Sequence, residues 1–148
     1  MEIRDFVDYG VPVARRSDSV YSVVVKMISR DYGTIPVVED DDKLVGVVTL
    51  RDVMLPMYPN YGDYIHDTVA GRDFVLMEEG YQDVMKMTAE KIMTPNPMTV
   101  APDSPLLKAA SYMGLKNLRR IPVVEDGKYV GIVGIADVNK ALFFNLHK

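Results

Sequence analysis

The sequence predicts a mixed α/β (α+β) fold of two βαββα repeats with a partly helical insertion between them, and three observations lead there. The hexapeptide Ile35-Pro36-Val37-Val38-Glu39-Asp40 recurs unchanged as Ile121-Pro122-Val123-Val124-Glu125-Asp126. The residues that follow also run parallel, KLVGVVTLRDV from Lys43 to Val53 and KYVGIVGIADV from Lys128 to Val138. Ahead of each copy, an amphipathic stretch opens on an Asp-Ser pair, Asp18-Ser19 and Asp103-Ser104. Self-similarity in the same order at three places sets the architecture before any chemistry is considered. The repeats are bounded at residues 1–56 and 90–148, with the insertion at 57–89.

Each repeat is expected to read strand, helix, strand, strand, helix. Ser17 or Asp18 is a suitable N-cap, and Val20, Val23, Val24 and Met27 follow at helical spacing. In the second copy Asp103 or Ser104 takes that role, with Pro105 early in the helix, where its missing N–H costs nothing. Leu106, Leu107, Ala110 and Met113 then form the buried stripe. Two β-branched runs come next, parted by Asp41-Asp42 or Asp126-Gly127, which is the pattern of a hairpin. Asp52 and Asp137 open the final helix, where a carboxylate satisfies free backbone N–H groups. In the insertion, PMYPNYGDYIHD should begin as a turn. Asp73 to Ile92 should be partly helical, with Met77, Tyr81, Val84, Met85 and Met87 as its apolar residues.

Composition narrows the function. The chain has 148 residues, 48% of them hydrophobic, enough to bury a core. No apolar run approaches the roughly 18 to 20 residues of a membrane span, and the acidic start MEIRDFVDYG is not a secretory signal. Cysteine is absent, which removes disulfides, thiolate metal sites and thiol nucleophiles, and a cytoplasmic setting is expected. A net charge of −4 argues against a nucleic-acid surface, since counterion release needs a basic footprint. The basic residues Lys108, Lys116, Arg119 and Arg120 are the one local exception. An enzyme is not expected. His66 and His147 have no partner at catalytic or metal-ligand spacing, and no phosphate-binding glycine loop or zinc motif is present. The run Glu39 to Asp42 lacks the alternating oxygen spacing of a calcium loop and reads as a solvated hairpin tip.

The ordered motifs resemble a known family. An hPVV strand (Ile35–Val38), a G-h-h-[ST]-x-x-D segment (Gly46–Asp52) and M-T-x-x-P-x-T-V (Met93–Val100) together look like a CBS domain. Two in tandem resemble the Bateman module, as in stand-alone CBS domain-containing proteins. The resemblance implies two sheets packed about a pseudo-two-fold axis, with two clefts that take AMP, ADP, ATP or another adenosyl compound such as S-adenosylmethionine or NAD. It further implies no required cofactor, a homodimer, and an effector protein that reads ligand occupancy.

Carried onto this sequence, the ribose acceptors are Asp52 and Asp137, with Thr49 near a phosphate in the first copy and Gly134 in its place in the second. By spacing alone Thr49 and Asp52 read first as helix caps, and the repeat context reverses that preference. Arg119 and Arg120 stand just before the second IPVV strand and suit phosphate oxygens, whereas the first copy has Gly33 and Thr34 there. The family's adenine walls map to Val47, Ala101 and Leu118 around Asp52, and to Ile132, Arg16 and Tyr32 around Asp137. Tyr32 either stacks on a base or covers the core. Arg16, beside Arg15, either reaches a phosphate or is a surface charge. A module that only dimerises or docks remains the competing reading; aspartates at both helix starts favour the ligand.

Overall fold

The computed structural model describes residues 1–58 and 74–146. A 3₁₀ turn at Ile3–Phe6 precedes α1 (Val20–Arg30), β1 (Thr34–Val38), β2 (Leu44–Thr49) and α2 (Leu50–Met54). After a 3₁₀ turn at Leu55–Met57 come α3 (Phe74–Met85), the short α4 (Ala89–Ile92) and β3 (Thr94–Pro95). The second repeat closes with α5 (Leu106–Lys116), β4 (Arg120–Glu125), β5 (Lys128–Gly134) and α6 (Ile135–Leu146).

The insertion is helical where its periodicity says so, with Met77 and Val84 buried on α3. Its first part beyond Tyr58, including His66, lies outside the described residues, as does His147. Both hairpins turn through left-handed residues: Asp41 and Asp42 at φ 62° and 59°, Asp126 and Gly127 at 53° and 78°. Consecutive positive φ matches the right-handed twist of the flanking strands, and Asp and Gly tolerate it best.

The helix starts differ from the expected caps. Ser19, not Ser17 or Asp18, caps α1, its Oγ accepting the Ser22 N–H at 3.1 Å. Asp18 is engaged one step earlier, its Oδ2 taking the Arg15 N–H at 2.9 Å. At α5, Pro105 itself is the cap residue and no side chain bonds to the helix. Instead the Leu106 N–H donates to the Met1 carbonyl at 2.9 Å. On α5, Leu107 is exposed and Ala109 takes the buried place.

That bond from Met1 belongs to a wider arrangement. The chain forms two compact units, each made of non-contiguous segments. The Asp137 unit comprises Met1–Pro12, Val38–Val45 and Asn96–Lys148, and the Asp52 unit comprises Val13–Val37 and Gly46–Pro95. The segment that leads each repeat is therefore folded onto the other. In the Asp137 unit, Ile3 N–H donates to Ser104 O at 3.0 Å and Arg4 N–H to Pro102 O at 2.9 Å. In the Asp52 unit the same pair recurs as Ala89 N–H to Asp18 O at 2.7 Å and Glu90 N–H to Arg16 O at 3.0 Å. Val20 N–H donates to Met87 O at 2.8 Å, the counterpart of Leu106 and Met1.

Further along, Asp8 bridges Ile132, and Thr94 pairs with Val47. The motif glycines make room for this. A Cβ on Gly46 would stand 2.6 Å from Met93 Sδ and 2.9 Å from Thr94 O, and one on Gly131 would stand 2.7 Å from Asp8 O. One sheet orders its strands as β1-β2-β3, and in the Asp137 unit β4 pairs antiparallel with β5. Ile3 is fully buried in the core of the Asp137 unit with Val100, Leu106, Met113, Ile121, Val123 and Val138. Ile35, Val37, Val48, Ile121 and Val123 are buried, as the unbroken apolar runs require.

Candidate functional site

In the Asp52 unit, β2 runs directly into α2 and the junction is a reciprocal cap. Thr49 Oγ1 accepts the Asp52 N–H at 3.2 Å, while the Thr49 N–H donates to Asp52 Oδ2 at 2.9 Å. This is the capping box, with Asp in place of the usual Glu. The Thr49 hydroxyl donates to the same Oδ2 at 3.1 Å. A third group comes from β3: the Thr94 hydroxyl lies 3.1 Å from Asp52 Oδ1 and 3.2 Å from Oδ2. The half-buried Asp52 carboxylate is thus met by one amide and two hydroxyls. Val47, on β2 two residues before Thr49, is buried.

Elsewhere in this unit, Tyr32 is half-buried, its N–H closing the end of α1 on the Met27 carbonyl at 3.0 Å. Arg16 is half-buried and pairs with Glu90, Nη1 to Oε1 at 3.4 Å.

The equivalent junction in the Asp137 unit is barer. Gly134 ends β5, and its N–H donates to Asp137 Oδ2 at 3.3 Å. Among the described residues that is the carboxylate's one hydrogen bond, and Asp137 is exposed. The Arg119 carbonyl accepts the first amide of α6, Ile135 N–H, at 2.8 Å, which places the arginine pair beside the junction. A Cβ on Gly134 would lie 3.7 Å from Arg120 Cγ and 3.2 Å from Asp137 Oδ2. Arg119 and Arg120 are both exposed, and neither makes an ion pair among the described residues. Asp137 also edges a cavity of about 240 Å³ lined by Phe6, Lys140, Ala141, Phe144 and Asn145. Ile132 is buried, and Ala101 and Leu118 are half-buried in the same unit.

Of the residues singled out from sequence, the Asp137 unit therefore carries Ala101, Leu118, Arg119, Arg120, Ile132, Gly134 and Asp137. The Asp52 unit carries Arg16, Tyr32, Val47, Thr49 and Asp52. Thr94 was not among them. Its signal was the M-T-x-x-P motif, but only the exchange of leading segments brings it to a carboxylate 42 residues away in sequence. The residue at Thr94's place in the other unit is Asp8, opposite Ile132 as Thr94 is opposite Val47.

Chemically, an exposed carboxylate near the backbone of two arginines, whose guanidinium groups make no ion pair among the described residues, suits a ligand with vicinal hydroxyls and an anionic tail. Among the described residues no group of three or more His, Asp or Glu could hold a metal ion. No helix among them is long and apolar enough to cross a membrane.

A family model described as the CBS domain matches residues 3–57 and again 89–143. The chain is 30% identical over 139 residues to the uncharacterized protein YlbB of Bacillus subtilis, covering 93% of this chain and 80% of that protein. Three further curated relatives are longer, and the chain spans 15%, 24% and 53% of their lengths. Among solved structures, CBSX2 of Arabidopsis thaliana in complex with AMP matches with a TM-score of 0.73 at 25% identity, over 97% of this chain and 96% of that one. The CBS domain of a CBS domain containing membrane protein from Sphaerobacter thermophilus matches with a TM-score of 0.72 at 31% identity, over 95% and 86%.

Proposed function

Because the chain belongs to the CBS domain family through both of its repeats, we propose that it is a regulatory module that binds an adenine nucleotide of the AMP, ADP or ATP type and relays occupancy to a partner chain. The observation that carries this reading is the Asp137 junction. Its carboxylate is exposed and among the described residues holds a single backbone N–H, and Arg119 and Arg120 next to it make no ion pair among them. Ribose hydroxyls donate to the carboxylate and phosphate oxygens accept from Arg119 and Arg120. The AMP complex of the similar CBSX2 structure supports the ligand class. The module performs no chemistry of its own in this reading, and the absence of cysteine suits a reducing, cytoplasmic setting.

The two junctions differ in strength. The Asp137 junction has arginines at 119 and 120, where the Asp52 unit has Gly33 and Thr34. A charge-assisted contact to phosphate is worth roughly 1.5 to 3 kcal/mol before desolvation, so the sites separate by about tenfold or more in Kd. Calorimetry tests this. Asp137→Ala should remove the tighter class and Asp52→Ala the weaker. Arg120→Ala should weaken AMP by about tenfold while leaving adenosine nearly unchanged. Equal losses for AMP and adenosine would make the arginine structural, and an absence of any nucleotide heat in the wild type would leave the docking-only reading.

The module is further proposed to act as a homodimer. On the helices that close the two repeats, Val53 and Ala141 are buried in the fold, but Met54, Phe143 and Phe144 are exposed at 43%, 56% and 72%.

A further inference from the structure

We propose that Thr94 is a positioning residue that keeps the Asp52 carboxylate occupied, and so makes the Asp52 junction the weaker ribose site. This rests on the nucleotide-binding reading and adds to it a cause that lies in hydrogen bonding rather than in phosphate contacts.

The argument counts donors on each carboxylate. A vicinal diol docks on an aspartate by giving one O–H to each oxygen. At Asp137 those oxygens face solvent with one amide on Oδ2, so the diol exchanges only with water. At Asp52, Oδ2 already takes the Thr49 amide and hydroxyl, and the Thr94 hydroxyl lies across both oxygens at 3.1 and 3.2 Å. Thr49 is tied down by its part in the capping box, but Thr94 is not. It sits on the exposed two-residue strand β3, and its hydroxyl is the group standing where a diol must enter.

Displacing it sacrifices a charge-assisted bond that the folded protein has already ordered. The other unit lacks this obstruction at both positions. Gly134 has no hydroxyl, and Asp8, at Thr94's place, has no proton to donate when ionised.

The test isolates the Asp52 junction in an Asp137→Ala background and measures adenosine and 2′,3′-dideoxyadenosine by calorimetry. Thr94→Val keeps shape and removes the donor. It should tighten adenosine by about three- to tenfold and leave the dideoxynucleoside unchanged, because only a diol competes for the carboxylate. Thr94→Ser keeps the hydroxyl and should match the parent. Thr94→Ala removes the same donor with less bulk, and should repeat the valine result if valine disturbs the strand. Adenosine binding that is unchanged or weaker in both donorless variants overturns the inference alone, as does equal tightening of both nucleosides. A wild-type chain that binds no nucleoside or nucleotide overturns the proposed function and this inference together.

Discussion

Writing threonine at position 134 would copy Thr49 into the second junction. Gly134 is not in the left-handed region, so a side chain there meets no backbone strain, and its Cβ would meet Asp137 Oδ2 at 3.2 Å. The carboxylate must turn by a few tenths of an ångström, and in turning it can complete the same reciprocal cap. Gly134→Thr should raise the stability of the chain by about 0.5 to 1 kcal/mol, visible as a higher melting temperature. The same change should weaken AMP at the tighter site several-fold in calorimetry, because Asp137 would then be shared with a cap.

At this scale Asp52, Asp137, Arg119 and Arg120 were legible because each stands at a fixed offset from a repeated motif. Ser19 was missed as a cap because Asp18 scores equally well by type, and only the turn with Arg15 uses it up. The start of α5 was misread because its first donor is satisfied by Met1, which no local pattern reveals.

Among elements, the leading segments are the ones whose sequence neighbours are not their structural neighbours. Strands, hairpins and both amphipathic helices follow from period and turn chemistry within a few residues of each other. The exchange does not, since Ile3 carries no mark in the sequence that its partners are Leu106 and Val138. The seating of this segment can be tested at two points. Ile3→Ala removes a fully buried side chain and should cost about 2 to 4 kcal/mol. Gly131→Ala drives a methyl group into Val7 and the Asp8 carbonyl and should cost about 1 to 3 kcal/mol. Hydrogen exchange gives the sharper readout. In both variants the Leu106 and Ile132 amides, which bond to Met1 and Asp8, should lose protection. In the Asp52 unit the Val20 amide, which makes the counterpart of the Leu106 bond, and the Ala89 amide, the counterpart of Ile3, should keep theirs.

For the whole molecule, the apolar end of α6 is the feature that bears on assembly. Phe143 and Phe144 meet edge to face at 5.3 Å, and Leu146 beyond them is 65% exposed. Aromatic surface of this kind is seldom left to water on a soluble monomer. Phe143→Glu should therefore convert the proposed homodimer to monomer in sedimentation velocity without lowering the affinity of a single chain for AMP. A wild-type monomer at high concentration would end that proposal.

The exchange of leading segments also bears on the order in which the protein is made. The Asp52 unit has all its residues once Pro95 has left the ribosome. Met1–Pro12, synthesised ahead of them, must wait for the strand that carries Ile132. At about 5 to 20 residues per second that wait lasts on the order of ten seconds, during which Ile3, Phe6 and Val7 have no core to enter. Residues made ahead of both units' remaining segments are among the last to find their place.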